Sequence, residues 1–357
     1  MDSRLTKTKE DSNKKPQPVH QHYVPAFILR NFVEKSGRFF LYDAARKRYK
    51  LYPVKNTFAE DDFYTIKTED GDDYEIERNL SKFERDVVPI FQKIKNGGNI
   101  ELRREELEAL RIFMTLLAFR SKLRKNQYQN QTFDMVTRST IDSFTNGQNF
   151  ISVWKKEIKT ISKLRKYKQI EESSEIDFAI KNEFLDDYRN YYMTIVKSYG
   201  QNFILSDVYP TLECIQDFNG NQMVFHMIYP LSPTIAIFLN SKIFRKENDC
   251  HLSSIERKLV SFSRIKDNSV IEPKVRYRNA PLCCDDDVFT YSTKKIYACD
   301  TIYINCLILN EVRNNFIFND REKLLEVIRK YKNEDGLKNN YDDLESALDR
   351  ALNMATK

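Results

Sequence analysis

Length and composition place this chain among folded proteins that fill one large domain or two ordinary ones. Of its 357 residues 41% are hydrophobic, including 24 Phe and 20 Tyr, which is enough for a substantial core. The longest apolar stretches, such as residues 115–119 and 235–239, fall far short of the ~20 residues that a membrane helix needs. The sequence therefore excludes an integral helical membrane protein.

The formal net charge is +6, from 58 Lys and Arg against 52 Asp and Glu. These charges are spread over the whole chain and are not gathered into one basic arm. The simpler interpretation of this charge is an ordinary solvated surface, and the functional interpretation is a weak attraction to nucleic acid. The charge alone does not choose between them.

The cysteines and histidines indicate a reducing compartment and disfavour zinc. Six cysteines occur late in the chain without a C-x-x-C pair, so we expect reduced thiols; they are Cys214, Cys250, Cys283, Cys284, Cys299 and Cys306. Four histidines are too few for a histidine-rich zinc site. Residues 1–19 lack the apolar core of a signal peptide. These features predict a cytoplasmic protein.

The chain begins with a polar segment and then turns compact and apolar. Residues 1–19 are predicted to be a flexible tail, because they carry almost no apolar side chains. Pro25 suits the first turn of a short helix over 26–33. Aromatic-rich runs at 38–43 and 47–54 predict a β-hairpin, and 63–67 a third strand.

A helical period dominates the middle of the chain. Apolar residues from Ile76 to Ile94 recur at steps of three and four, with a kink expected at Pro89. Further helices are predicted at 103–129, 133–144, 150–164 and 175–199.

The last third mixes strands with helices. Strands are predicted at 202–207, 223–229, 234–239 and 315–318, and helices at 301–314, 321–332 and 341–352. Residues 241–290 show too little periodicity for an assignment.

The predicted fold class is α+β and mainly helical. A central helical bundle of residues 76–200 would pack beside a small antiparallel sheet, because neither strand group alone has enough strands for independent stability. Residues 20–320 would form a single domain, β-rich over 20–70, helical over 76–200 and α+β over 201–320. Terminal helices would occupy 321–357.

The opening motif His22-Tyr23-Val24-Pro25 followed by Leu29-Arg30-Asn31-Phe32 resembles that of the family catalogued as domain of unknown function 4238. Later features agree in order: Phe63-Tyr64, Ile76-Glu77 with Glu84 one heptad on, Arg120, Ser206-Asp207, Pro230-Leu231-Ser232-Pro233 and Asn305. The resemblance covers about residues 20–320. One departure is that Val208-Tyr209-Pro210 follows Ser206-Asp207, where members tend to have Asn-Pro. The family name supplies no reaction; some members resemble accessory or effector proteins of prokaryotic antiviral defence, which implies nucleic acid or a nucleotide as the first substrate to consider.

Polar groups around the first helix are the leading catalytic candidates. His22 precedes a helix N-terminus, where backbone N–H groups can hold an anion and an imidazole can transfer a proton. The structural alternative is that His22 caps the helix or satisfies a buried carbonyl. Tyr23, Arg30 and Asn31 add three more polar groups within three turns, more than packing requires.

Two glutamates on the next helix are candidate metal ligands. Glu77 and Glu84 are seven residues apart, so they lie on one side of a helix with about 10 Å of axial rise between them. With Asp207 they would make an oxygen site for Mg²⁺ or Mn²⁺. The alternative, slightly favoured, is a salt-bridge network in which Arg30 and Arg120 neutralise the glutamates.

Arg120 and Asn305 are the remaining candidates. Arg120 follows an apolar run at the margin of a core, where it would bind a carboxylate or a phosphate equally well. Asn305 is costly to bury without partners. A structural hydrogen bond is the simpler role for it, and substrate binding is the functional alternative.

Two hypotheses about function follow. In the first, a metal-assisted nuclease or nucleotide-processing enzyme uses Glu77, Glu84 and Asp207 for the ion, Arg30 and Arg120 for phosphate, and His22 as acid or base. In the second, a non-catalytic binding or sensor protein holds an anion or nucleotide in the same pocket. Walker, G-x-G-x-x-G, G-x-S-x-G and H-E-x-x-H motifs are absent from the sequence, which argues against the enzyme classes that depend on them. The sequence leaves the oligomeric state open.

Overall fold

The computed structural model describes residues 19–34, 36–133, 135–145, 147, 149–216, 222–241, 270–271, 287–333 and 344–348. The expected tail before residue 19, almost all of 242–286 and most of 341–352 lie outside these ranges, as do Cys250, Cys283 and Cys284. Cys214, Cys299 and Cys306 are thiols, as predicted.

The N-terminal part is rich in short strands, as predicted. The helix α1 begins directly after Pro25 and spans only Ala26–Leu29. The strands of this part are β1 (His20–His22), β2 (Arg38–Asp43), β3 (Arg48–Pro53), β4 (Ala59–Asp61), β5 (Ile66–Thr68) and β6 (Gly71–Asp73). The β2–β3 hairpin is confirmed, whereas the third strand starts three residues later than expected.

The middle of the chain contains most of the predicted helices. Its elements are α2 (Glu75–Asn96), β7 (Asn99–Arg103), α3 (Arg104–Phe119), α4 (Lys122–Asn130), α5 (Met135–Thr145), α6 (Phe150–Ile161), α7 (Tyr167–Glu172) and α8 (Phe178–Asn190). Helix α2 runs through Pro89 as one element.

The prediction of one helix over 103–129 was wrong, because the chain breaks at Arg120 and Ser121. The Ser121 side chain accepts a hydrogen bond from the backbone N–H of Arg124, which starts α4 as a separate helix. At the end of α3, Trp154 Nε1 donates to the carbonyl of Phe119 at 2.9 Å. The Tyr64 hydroxyl donates to the carbonyl of Arg120 at 3.1 Å. These side chains satisfy carbonyls that would otherwise continue the helix.

The predicted helix over 175–199 was also wrong in its second half. After α8 the chain becomes the nine-residue strand β8 (Tyr191–Tyr199). Its run of aromatic and β-branched residues favours a strand, and Arg111 donates hydrogen bonds to the carbonyls of Asp187 and Tyr191 where α8 ends.

Strands dominate the last third more than the sequence indicated. They are β9 (Leu205–Ser206), β10 (Thr211–Gln216), β11 (Gln222–Pro230), β12 (Ile235–Ser241), β13 (Val270–Ile271), β14 (Val288–Ser292), β15 (Lys294–Tyr297) and β16 (Asn315–Phe318). The helices are α9 (Ala298–Glu311) and α10 (Arg321–Lys332), and residues 344–348 are helical.

The predicted bundle beside one small antiparallel sheet was wrong. The described strands form five sheets in a mixed α+β fold, ordered β10-β11-β12-β8-β15, β3-β2-β16-β9, β13-β14-β7, β1-β4 and β5-β6. The largest is not purely antiparallel, because β15 pairs parallel with β8. The hairpin β2–β3 and strands β11–β12 therefore belong to different sheets, since β16 and β8 supply partners that the sequence did not reveal.

Two hydrophobic clusters nevertheless join these sheets into one body. The first contains Phe39 of β2 and Ile237 of β12 together with α2, α3 and α6. The second contains Tyr42 of β2 and Phe238 of β12 together with α9 and α10. Alternate residues of each strand thus face different cores. Within the described residues, no helix is long and apolar enough to span a bilayer.

Candidate functional site

Helices α2 and α3 bring three of the predicted site residues together. Glu84 accepts a hydrogen bond at 2.8 Å on Oε1 from Nη2 of Arg120, whose side chain is only 1% exposed. The guanidinium also lies over the Phe113 ring, 5.7 Å from its centre. Its Nε–H is buried and has no hydrogen-bond partner among the described residues. This ion pair, with Glu77 beside it, is called the Arg120 cluster below.

The break between α3 and α4 positions Arg120. Because its carbonyl is held by Tyr64 and the chain turns at Ser121, the side chain points back toward α2. Tyr64 is fully buried and stacks on Trp154 with ring centres 5.9 Å apart. A rigid aromatic wall therefore supports the cluster.

Glu77 behaves as an acid that titrates near neutrality. Burial and the neighbouring charge of Glu84 raise the pKa of Glu77 to about 7, and Arg120 only partly opposes them. Two carboxyl groups beside one buried guanidinium cannot both be fully neutralised by it, so the second holds a proton more strongly. Glu77 is therefore partly protonated at neutral pH.

His22 lies within the electrostatic reach of the Arg120 cluster. Burial lowers the pKa of His22 below its ordinary value, and the charges of Glu84 and Arg120 shift it in opposite directions. Its Nε2 is 3.2 Å from the carbonyl oxygen of Val54, an acceptor to which only an N–H can donate. The neutral ring therefore carries its proton on Nε2 and leaves the Nδ1 lone pair as a base.

Tyr23 lies within the electrostatic reach of Asp207. Burial first, and then the charges of Asp207 and Glu60, raise the pKa of Tyr23 above its ordinary value, so its hydroxyl stays protonated. Asp207 is 3% exposed and accepts hydrogen bonds from the backbone N–H groups of Arg313 and Asn314 at 3.1 and 2.8 Å. The carboxylate of Asp207 thus holds the turn before β16.

The predicted metal triad does not assemble. Among the described residues, no group of three or more His, Cys, Asp or Glu side chains has the arrangement to hold a metal ion. Asp207 is directed to the backbone of the turn at Arg313, while Glu84 is directed to Arg120. The sequence spacing gave the glutamate pair correctly but could not show what else Asp207 binds.

Three other candidates are placed away from the Arg120 cluster. Asn31 donates to the carbonyl of Leu231 at 2.8 Å and accepts from Lys95 at 2.8 Å. Asn305 accepts from the N–H of Ile204 at 3.0 Å and donates to the carbonyl of Asn202 at 2.7 Å. Both asparagines join distant segments.

Arg30, the third, is exposed, and within the described chain no ion pair or side-chain hydrogen bond joins it to the cluster. A single pocket shared by all the candidates stays a prediction. Electrostatic influence joins His22, Glu77, Glu84 and Arg120 in one group and Tyr23 and Asp207 in another; the full predicted set also includes Arg30.

Sequence reasoning missed a group of lysines next to this site. The amine of Lys122 pairs with Glu60 and lies 6.0 Å from the centre of the Tyr23 ring. That of Lys125 lies 3.8 Å from Glu60 and 3.9 Å from the Phe63 ring centre. The sequence feature that could have identified these lysines is their position directly after Arg120, at the start of a capped helix.

Comparison with known proteins identifies a family and nothing closer. No curated protein and no solved structure matches the chain. One family model matches residues 20–322, that of the family described as protein of unknown function (DUF4238). The match covers most of the chain and includes all the strands, the helices from α1 to α9 and the polar cluster described above. The chain therefore belongs to the DUF4238 family.

Proposed function

We propose that the Arg120 cluster is an acid–base site for a phosphate-bearing substrate, a nucleotide or a phosphodiester. The observation that carries the proposal is the buried Nε–H of Arg120, which has no acceptor among the described residues. An unpaired buried donor costs about 1–3 kcal/mol, and a ligand oxygen would remove that cost. A guanidinium fork matches the oxygens of a phosphate as well as those of a carboxylate.

Glu77 and His22 would carry out the proton transfers. A carboxyl whose pKa is about 7 can both release and accept a proton at neutral pH. The Nδ1 atom of His22, which lies in the electrostatic reach of Glu84 and Arg120, offers a second base, because Nε2 is bound to Val54. Glu84 would orient Arg120 without reacting, since its oxygen accepts the guanidinium hydrogen bond.

The lysines beside Tyr23 support an anionic substrate. Burial lowers the pKa of Lys125, and the charges of Lys155 and Lys122 act in the same direction. Three close amines that repel one another are stabilised when an anion binds between them. Glu60 beside Lys122 and Lys125, and Asp62 near Lys155, compensate for only part of this charge.

A divalent ion remains part of this proposal, but with two protein ligands instead of the predicted three. Glu77 and Glu84 can offer two oxygen ligands to Mg²⁺ or Mn²⁺, and substrate oxygens would have to complete the shell.

The alternative is a non-catalytic pocket that binds or senses an anion or nucleotide. It is favoured by the near-complete burial of Arg120, which allows a small anion to reach the guanidinium more readily than a polymer.

The setting proposed for this activity is the cytoplasm, in line with the thiols of Cys214, Cys299 and Cys306. A role as an effector of antiviral defence is also proposed. It rests on the family resemblance alone.

The test compares turnover in matched variants. Purified protein is incubated with labelled RNA, DNA and nucleotides in Mg²⁺, Mn²⁺ or EDTA, using wild type, Glu77→Gln, His22→Ala and the exposed control Glu101→Gln. Loss of a general acid or base should lower the rate by about 10²- to 10⁴-fold, and Glu77→Gln should also remove an inflection near pH 7. No turnover in wild type, with thermal stabilisation by nucleotides that is lost in Arg120→Lys, would favour the binding protein.

A further inference from the structure

Strands β8 and β15 carry an array of four side chains on one exposed face at the edge of the largest sheet. Their parallel register places Lys295 beside Lys197 and Tyr297 beside Tyr199. Residues two apart on a strand share a face, and paired residues on neighbouring strands point the same way. The four residues therefore form a row of lysines next to a row of tyrosines, called the Lys–Tyr array below.

The array continues a face that is buried earlier in β8. Met193 and Ile195, on the same face, belong to the core with the helices, whereas Tyr199 is 40% exposed and Tyr297 is 66% exposed. The opposite face stays covered, because Ile296 is fully buried. The packed helices thus end before the array, and two aromatic rings face solvent.

Among the described residues, the two amines of the array have no acidic partner. Nζ of Lys197 and of Lys295 lie 5.7 and 5.4 Å from the centre of the Tyr199 ring. Neither forms an ion pair with any residue in the described part of the chain. An acid next to the tyrosine row, Asp300, accepts a hydrogen bond from the backbone N–H of Tyr297 at 3.1 Å.

We infer that the Lys–Tyr array is a docking surface for single-stranded nucleic acid. Bases stack on exposed aromatic rings whatever their sequence, while neighbouring cations hold the phosphates. The two rows lie about 6.6 Å apart along the strands, and the strands are separated by about 4.8 Å. A flat array of this kind reaches the unpaired bases of a single strand but not the stacked bases of a duplex.

The inference is independent of the Arg120 cluster, which lies on other elements. It can therefore fail while the proposed acid–base site holds, and the reverse is equally possible. Binding measured with Glu101→Gln, an exposed residue outside both the Arg120 cluster and the array, should match wild type.

Fluorescence anisotropy with a labelled oligonucleotide of about 12 residues, single-stranded or annealed to its complement, tests the inference. Tyr297→Ala should weaken single-strand binding about tenfold, whereas Tyr297→Phe should retain it, because stacking needs only the ring. The matched control is Phe178→Ala, which removes an aromatic ring of similar exposure, 65%, from the start of α8. Its affinity should equal that of wild type.

The lysine row has its own signature in the salt dependence. Lys197→Gln combined with Lys295→Gln should reduce the slope of log affinity against log salt by about 1.4, because each lysine that no longer neutralises a phosphate removes roughly 0.7. The inference is overturned if single strands do not bind at about 50 mM salt, if a duplex binds equally well, or if the array variants bind like Phe178→Ala.

Discussion

Glu77 holds its proton more tightly in the folded protein than in the unfolded chain. Burial and Glu84 raise its pKa to about 7 from an ordinary value of 4.5. A carboxyl of this kind contributes stability that is fully present below about pH 4.5 and is lost as the pH rises through 7.

We therefore expect Glu77→Gln to raise the free energy of unfolding at pH 8 by on the order of 1–3 kcal/mol. At about pH 4 it should change little. Urea unfolding at the two pH values, with Glu101→Gln as the exposed control, measures the difference. An equal effect at both pH values would show that the charge of Glu77 is not the cause.

The sequence revealed the acidic and basic residues of the Arg120 cluster and the simpler, structural role of Asn305, but not the partners of Asp207 and Asn305. Helical spacing alone placed Glu77 and Glu84 on one side of α2, and the position of Arg120 after an apolar run placed it in the core margin. Asp207 and Asn305 instead bind backbone groups of segments about 100 residues away. Local sequence carries no information about such partners.

At the scale of the element, Ser121 is responsible for separating α3 from α4. Its side chain accepts from the N–H of Arg124 at 3.2 Å, so Ser121→Ala should lower the free energy of unfolding by about 1 kcal/mol. Ser121→Asp should retain the stability, because aspartate also caps helices and favours the positive helix N-terminus. Chemical denaturation of the three proteins gives the comparison. Equal losses in both variants would indicate a packing role instead.

Gly200, which directly follows β8, is a second residue whose own conformation determines where an element ends. Its φ of +88° is a conformation that side chains disfavour, and a Cβ added there would lie 3.4 Å from Cβ of Ala298. Gly200→Ala should therefore destabilise the protein by about 1–2 kcal/mol, as measured by thermal unfolding. Adding Ala298→Gly removes the contact but not the strain. Full recovery in the double variant would contradict the backbone explanation.

Element types were predictable where local periodicity and tertiary environment agreed. Helix α2, the β2–β3 hairpin and β16 follow patterns that are complete within a few residues. The helix prediction failed at β8, because the apolar run of this strand is buried on both faces. Ile195 lies in one core and Val196 in the other. Such a run cannot be distinguished from a buried helix by periodicity.

At the scale of the whole molecule, a buried ion pair connects α3 to β14. Nε of Arg104 donates to Oδ2 of Asp287 at 3.1 Å, and both side chains are almost fully buried. Asp287→Ala should lower the free energy of unfolding by about 3–5 kcal/mol, because it leaves a buried charge without its carboxylate.

Replacing both partners of this pair separates the cost of burying the two charges from the attraction between them. Arg104→Met with Asp287→Leu should be less destabilised than Asp287→Ala alone, since neither member of this pair is then left as a buried charge without the other. Chemical denaturation of both variants measures this. A double variant that is less stable than Asp287→Ala would mean that the pair contributes mainly through its hydrogen bonds, including that of Arg104 to Tyr188.

Helix α3 contains two buried arginines and ends at a third, and each is attached to a different part of the molecule. Arg104 reaches β14, Arg111 reaches the end of α8, and Arg120 reaches α2. One inserted residue would rotate everything after it by about 100° and shift it by about 1.5 Å, so at least one attachment would break. The length of this helix is thus more constrained than its composition. As DUF4238 sequences diverge, we expect insertions and deletions to accumulate in loops and to avoid the interval between Arg104 and Arg120.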